Sequence, residues 1–176
     1  ARLRAMVELD DLAAPDTARQ AEQALCVARR ICDGRGLRFT PLRAAVLEAI
    51  ARARRPLGAY TLLSMLQRSL DKKFAPPTVY RSLEFLIDIG VIVRVESRNA
   101  YMLRDHPGQP NTSVLFLCDR CDSSVTIEDS SLAKLIESDA ATLGFRLGNP
   151  VLECGGTCGR CIDADLYSTP EGSEAR

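Results

Sequence analysis

Apolar residues recur at helical spacing in four successive stretches of the first ninety positions, each lying between a start signal and a break. After Pro15, Asp16 can cap a helix running to about Cys32. Its inward face carries Ala21, Ala24, Leu25, Ala28, Ile31 and Cys32, and Gly34 and Gly36 end it. Thr40 followed by Pro41 is an N-cap with proline at the first helical position, and Val46, Leu47 and Ile50 form the stripe of a second helix. Pro56 and Gly58 break the chain. A third helix starts near Ala59 with Leu62, Leu63 and Leu66 inward, and the polar stretch Ser69 to Lys73 closes it. Pro76 and Pro77 open a fourth, Thr78 to Ile89, with Val79, Leu83 and Leu86 on one face and Thr78, Arg81 and Ser82 on the other, until Gly90 terminates it.

The pattern then shortens to that of extended chain. Val91 to Val95 and Ala100 to Leu103 read as strands joined by Glu96, Ser97, Arg98 and Asn99. Helices followed by a hairpin spell a winged helix, whose helix before the hairpin is shaped to enter a major groove about 12 Å wide. Arg81 lies near that helix's N-terminus. Residues 105–112, with His106, Pro107, Gly108, Gln109 and Pro110, read as a hinge. Beyond it come strands at Val114 to Leu117 and Val125 to Ile127. A helix from Ser131 to Leu143 follows, with Leu132, Leu135, Ile136 and Leu143 inward, and then an extended segment from Phe145 to Glu153 interrupted by Pro150. The expected fold class is α+β: a flexible N-terminus (1–15), a winged-helix DNA-binding domain (16–104), the hinge (105–112), a small α/β domain (113–163) and a disordered tail (164–176).

Hydrophobic residues make up 46% of the 176 and charged residues 26%, which excludes a wholly disordered or collagen-like chain. Uncharged apolar stretches such as Val114 to Cys118 fall far short of the roughly 20 residues needed to span a bilayer. Glu8, Asp10 and Asp11 stand where a secretory signal would be basic and then apolar, so the expected compartment is the cytoplasm, with no membrane partner. The net charge of zero conceals an asymmetry: residues 1–105 carry +6, residues 106–176 carry −6, and residues 28–104 alone carry +9. Such a field draws in a polyanion, which makes double-stranded DNA the natural partner of the front half; a merely solvated basic surface is the alternative on charge alone.

In a reducing compartment, seven cysteines need a reason other than disulfides. Cys118-Asp119-Arg120-Cys121 and Cys158-Gly159-Arg160-Cys161 are two Cys-x-x-Cys knuckles separated by 36 residues. Two thiolates from each complete the tetrahedron zinc prefers, at about 2.3 Å per Zn–S bond, and leave no open position, so the site is structural rather than hydrolytic. A redox dithiol role is the alternative. A domain of about 60 residues is marginal without such a staple or a partner chain. Cys26, Cys32 and Cys154 read as core positions rather than ligands. His106 reads as solvated or as a weak auxiliary ligand. No nucleophile elbow, phosphate loop or carboxylate pair emerges, so enzyme activity is not expected.

The runs Arg38-Phe39-Thr40-Pro41-Leu42-Arg43, Pro56-Leu57-Gly58-Ala59-Tyr60, Pro76-Pro77-Thr78-Val79-Tyr80-Arg81-Ser82-Leu83-Glu84-Phe85-Leu86 and Glu96-Ser97-Arg98-Asn99-Ala100-Tyr101, with the two knuckles, resemble the ferric uptake regulator family, and within it the zinc uptake branch. The resemblance spans about residues 24–161. It implies a homodimeric, metal-responsive transcription factor with a C-terminal dimerisation domain, one structural zinc per chain at Cys118, Cys121, Cys158 and Cys161, and a pseudo-palindromic operator. It puts Tyr60 and Arg81 at DNA-contacting positions, and the candidate contact set is Tyr60, Thr78, Tyr80, Arg81 and Ser82.

The departure from the family lies at the hinge. Members carry a second, regulatory zinc there, whereas the aligned positions here hold Val93, Arg104, Asn111 and Thr126, none an ordinary zinc ligand. Three readings follow: a regulator whose DNA binding is independent of a hinge metal, with Arg104 supplying charge beside Asp105 or Glu128; a zinc sensor with an atypical site drawn from Asp105, His106, Glu128 or Cys154; or a redox-responsive or protein-binding module built on the knuckles.

Overall fold

The structure, a computed structural model, describes residues 17–53, 55–104, 113–148 and 150–167. The helical stripes fold as their spacing dictates. Helix α1 (Thr17–Gly34) buries Ala21, Ala24, Ala28 and Cys32, and α2 (Pro41–Arg52) buries Val46, Leu47, Ile50 and Ala51. Thr40 caps α2, its side-chain oxygen accepting from the Arg43 N–H at 3.4 Å, and Pro41 follows it at the start of the helix. Helix α3 (Ala59–Leu70) contributes Leu62 and Leu66, and α4 (Pro76–Asp88) contributes Val79, Leu83 and Leu86, to one continuous core. Gly90, at φ 73°, turns the chain out of α4 in the left-handed region that glycine enters without strain.

The wing is a three-stranded sheet in the order β1-β3-β2, built from β1 (Leu57–Gly58), β2 (Ile92–Val95) and β3 (Ala100–Leu103), all antiparallel. The two-residue β1 has too few positions to show alternation, which is why sequence pattern misses it. Glu96–Arg98 form one 3₁₀ turn, and Asn99 closes the hairpin at φ 45°, a left-handed conformation that Asn tolerates.

The second unit is a sheet in the order β5-β4-β6. Strand β4 (Ser113–Cys118) pairs antiparallel with β5 (Ser124–Glu128) and parallel with β6 (Val151–Gly156). Helix α5 (Ser130–Thr142) starts on Asp129, whose carboxylate accepts from the N–H groups of Ser131 and Leu132, and α6 (Gly159–Tyr167) begins within the second knuckle. Because α6 reaches Tyr167, residues 164–167 are helical rather than part of a disordered tail. The expected flexible segment 1–15, the hinge 105–112 and residues 168–176 lie outside the described residues. The inward face expected for α5 is corrected as well: Leu135 and Leu143 are 58% and 73% exposed, and Ala140 is the one residue of that helix buried within the chain.

The pleat of the wing hairpin joins the two units. Ile92, Tyr101 and Leu103 face the helical core, whereas Val93, Val95 and Met102 point the other way and pack against Leu115 and Leu117 of β4. Strand β4 thereby turns Leu115 and Leu117 to the wing and Phe116, with Val125 of β5 beside it, to solvent. One sheet face is an internal seam, and on the other Phe116, Val125 and Ile127 form an apolar patch exposed in the single chain.

Candidate metal centre and nucleic-acid interface

The parallel pairing of β4 and β6 brings both knuckles to one end of the sheet. Cys118 lies opposite Gly156, two residues before Cys158, and the Asp119 N–H donates to the Gly156 carbonyl at 2.8 Å. The four sulfurs lie within 4.8 Å of one another, with Cys118 and Cys161 at 3.9 Å and Cys121 and Cys158 at 3.6 Å. A tetrahedron with 2.3 Å Zn–S bonds has edges of about 3.8 Å, so these spacings fit zinc. The Cys158 N–H points at the Cys118 sulfur at 3.4 Å. Donation from the N–H groups of Cys158, Cys121 and Arg120 draws the Cys118 thiol down to about 6. Hydrogen bonding to Cys121 and Cys158 pushes Cys161 up to about 12. Peptide N–H groups directed at Cys118 and Cys158 favour the thiolate, the form in which cysteine binds a metal.

The remaining cysteines divide. Cys32 is fully buried, as its place on the α1 stripe requires, and burial pushes its thiol up. Cys26 and Cys154 are exposed and not core residues. Cys26 falls off the α1 stripe, and Cys154 pairs in register with Phe116 and so shares the uncovered sheet face.

At the front, the polar side of α4 presents Thr78 and Arg81 to solvent, and Tyr60 at the start of α3 is 71% exposed. Tyr80 is half-buried and packs against the helical core. Ser82 is buried, and its hydroxyl donates to the Thr78 carbonyl at 3.0 Å, so it supports α4 from within and does not belong to the polar reading face. The exposed Lys72 and Lys73 precede this helix, and Arg43 stacks over the Phe85 ring at 3.4 Å.

The ferric uptake regulator family model matches residues 34–154. The chain belongs to the ferric uptake regulator family. Its members are transcriptional regulators, not enzymes. The chain is 36% identical over 151 residues to the zinc uptake regulation protein of Escherichia coli (strain K12), covering 85% of this chain and 88% of that protein. In structure it resembles a zinc uptake regulator complexed with zinc and DNA, with a TM-score of 0.76 and 35% identity over 83% of this chain and 97% of the other. It also resembles holo XcZur, with a TM-score of 0.71 and 39% identity over 80% and 98%. The α+β architecture of winged helix and C-terminal sheet domain is therefore that of this family. Among the described residues no helix is long and apolar enough to cross a membrane.

The positions that the resemblance would set at a regulatory metal form no ligand set among the described residues. Val93 is a member of the apolar seam, and Arg104 is 3% exposed, its N–H donating to the Val91 carbonyl at 3.0 Å. Both line a cleft of about 280 Å³ between the hairpin and β6, together with Arg94, Glu96, Val151 and Glu153. Thr126 sits opposite Leu115, and its hydroxyl is buried. Asp105, His106 and Asn111 lie outside the described residues, as does the side chain of Glu128.

Sequence reasoning missed the bonds that cross between the units. Glu153 accepts from the N–H groups of Glu96 and Ser97 at 2.6 and 3.1 Å, and Arg98 donates to Asp122 and to the Cys118 carbonyl, both at 2.7 Å. Separations of 57 and 20 residues leave no periodic signal to find.

Proposed function

We propose that the chain is a cytoplasmic homodimeric transcription regulator that binds a pseudo-palindromic duplex through two winged helices. Each chain keeps one structural zinc in Cys118, Cys121, Cys158 and Cys161, and DNA binding is independent of a hinge metal. The observation that carries the last point is the seam itself. At the junction where the family binds its regulatory ion, this chain packs Val93 among Val95, Met102, Leu115 and Leu117 and buries the Arg104 cation. The apolar seam favours the docked arrangement of the two units without a metal, and the Arg104 cation at that junction repels a second cation.

The basic front half supplies the salt-dependent attraction to phosphate. Arg81 offers a bidentate pair to guanine, Tyr60 offers its ring and hydroxyl, and Thr78 and Tyr80 flank them on α4. Dimerisation is supported by the exposed Phe116, Val125 and Ile127 of the sheet, by Leu135 of α5 and by Leu143 just after it, all exposed in the single chain.

The test is zinc stoichiometry per chain before and after mild chelation, read beside affinity for an AT-rich palindromic duplex. One retained zinc and an unmoved affinity are expected. A second, reversible zinc coupled to DNA affinity would replace this reading with that of an atypical zinc sensor.

A further inference from the structure

An arginine in the wing of a winged helix invites the expectation of a phosphate contact. Arg98 is turned the other way. Its side chain is 19% exposed, and the guanidinium fork closes on the turn of the first cysteine knuckle. One terminal nitrogen donates to the Asp122 carboxylate at 2.7 Å, and the other to the Cys118 carbonyl at 2.7 Å, with the Asp119 carboxylate at 3.5 Å. All three acceptors lie within residues 118–122. The Cys118 N–H to Ser123 carbonyl bond at 2.9 Å and the Asp119 N–H to Gly156 carbonyl bond at 2.8 Å tie that turn to the sheet. On the far side of the same wing tip, Glu153 takes the N–H groups of Glu96 and Ser97. The tip is thus gripped at two points by the metal-binding unit.

The grip extends to the reading helix through a short, stiff path. Only Ile89, Gly90 and Val91 separate α4 from β2, and Ile89 and Val91, with Ile92 at the start of β2, are buried in the helical core. Rotation of the hairpin against the sheet therefore carries α4 with it. We propose that Arg98 is a positioning residue for DNA recognition: by clamping the wing to the Cys118–Asp122 turn, it sets the orientation of α4 relative to the C-terminal unit, and so the spacing of the two reading helices in a dimer. This rests on the DNA-binding reading above.

The test compares wild type, Arg98→Ala, Arg98→Lys, Asp122→Asn and Arg98→Ala/Asp122→Asn as zinc-loaded proteins. Asn suits position 122 because the backbone there is left-handed, at φ 58°. Zinc content and dimer mass are checked first and should match wild type. Operator affinity should fall roughly three- to thirtyfold for Arg98→Ala, less for Arg98→Lys and Asp122→Asn, and no further for the double variant than for Arg98→Ala. The salt dependence of binding should keep its slope. A slope lowered by about 1 in Arg98→Ala, with Asp122→Asn binding as well as wild type or better, would make Arg98 a phosphate contact and overturn the proposal. Wild-type affinity in every variant would overturn it too. A DNA-free readout separates this from failure of the functional reading: amide exchange at Glu96 and Ser97 should speed up about tenfold in Arg98→Ala. If wild type binds no duplex, the functional reading fails, and the clamp stands or falls on that exchange rate.

Discussion

The carboxylate of Glu153, on the strand leading to the second knuckle, accepts the backbone N–H of Ser97 at the tip of the wing at 3.1 Å. Burial is the largest single influence on this group and opposes its ionisation. The Ser97 hydroxyl and N–H, the Glu96 N–H and the Arg98 charge together outweigh it and hold the carboxyl below its ordinary 4.5. A depressed carboxyl contributes stability that is complete above its unfolded value and fades as pH falls through the folded one. Glu153→Gln should therefore lower the urea midpoint at neutral pH, and the gap from wild type should close as pH falls below the ordinary 4.5. A gap independent of pH would mean that the charge plays no part.

Substitution of one cysteine of the cluster tests the proposed metal centre. Cys121→Ser should lose the bound zinc and lower the thermal midpoint by about 10 °C or more, because the small sheet domain then depends on its own sparse core. Atomic absorption and differential scanning calorimetry on the reduced protein check both expectations. A variant that loses zinc yet melts with wild type would show the cluster to be dispensable for the fold.

Arg81→Ala should reduce operator affinity by about 1–3 kcal/mol and relax preference at one base pair, measured by anisotropy against a panel of single-substituted duplexes. Lys72→Ala should instead weaken binding to all duplexes about equally and reduce the salt slope by about 1. The two variants separate base reading from phosphate attraction.

Leu115 is fully buried at the seam between wing and sheet. Leu115→Ala should cost about 2–4 kcal/mol in equilibrium unfolding. If the units then melt separately, calorimetry should show two transitions where wild type shows one, since the seam is what makes them cooperate.

Legibility in the sequence followed the length scale of each interaction. The four helices of the front half were readable because Val46, Leu62, Val79 and their partners repeat every three or four residues, with Thr40 and Gly90 as punctuation. The four-cysteine cluster was readable because each knuckle is a local motif. Local pattern failed where the outcome depends on distant or absent chain. Leu135 and Leu143 fit a helical stripe, yet both are left exposed among the described residues. Ser82 looked like part of a polar face because its hydroxyl is polar, but it satisfies itself on the Thr78 carbonyl and so can be buried. Helix α6 is only 9 residues long, too short for a helical period to announce itself.

The parallel alignment of β4 with β6 has a consequence for how the chain finds its shape. A slip of two residues, the smallest that returns each side chain to its proper face, would carry one knuckle about 6.6 Å past the other, too far for a single ion to hold all four sulfurs. A zinc ion held by all four sulfurs would thereby proofread a pairing between segments far apart in the chain, rewarding one alignment and penalising its neighbours.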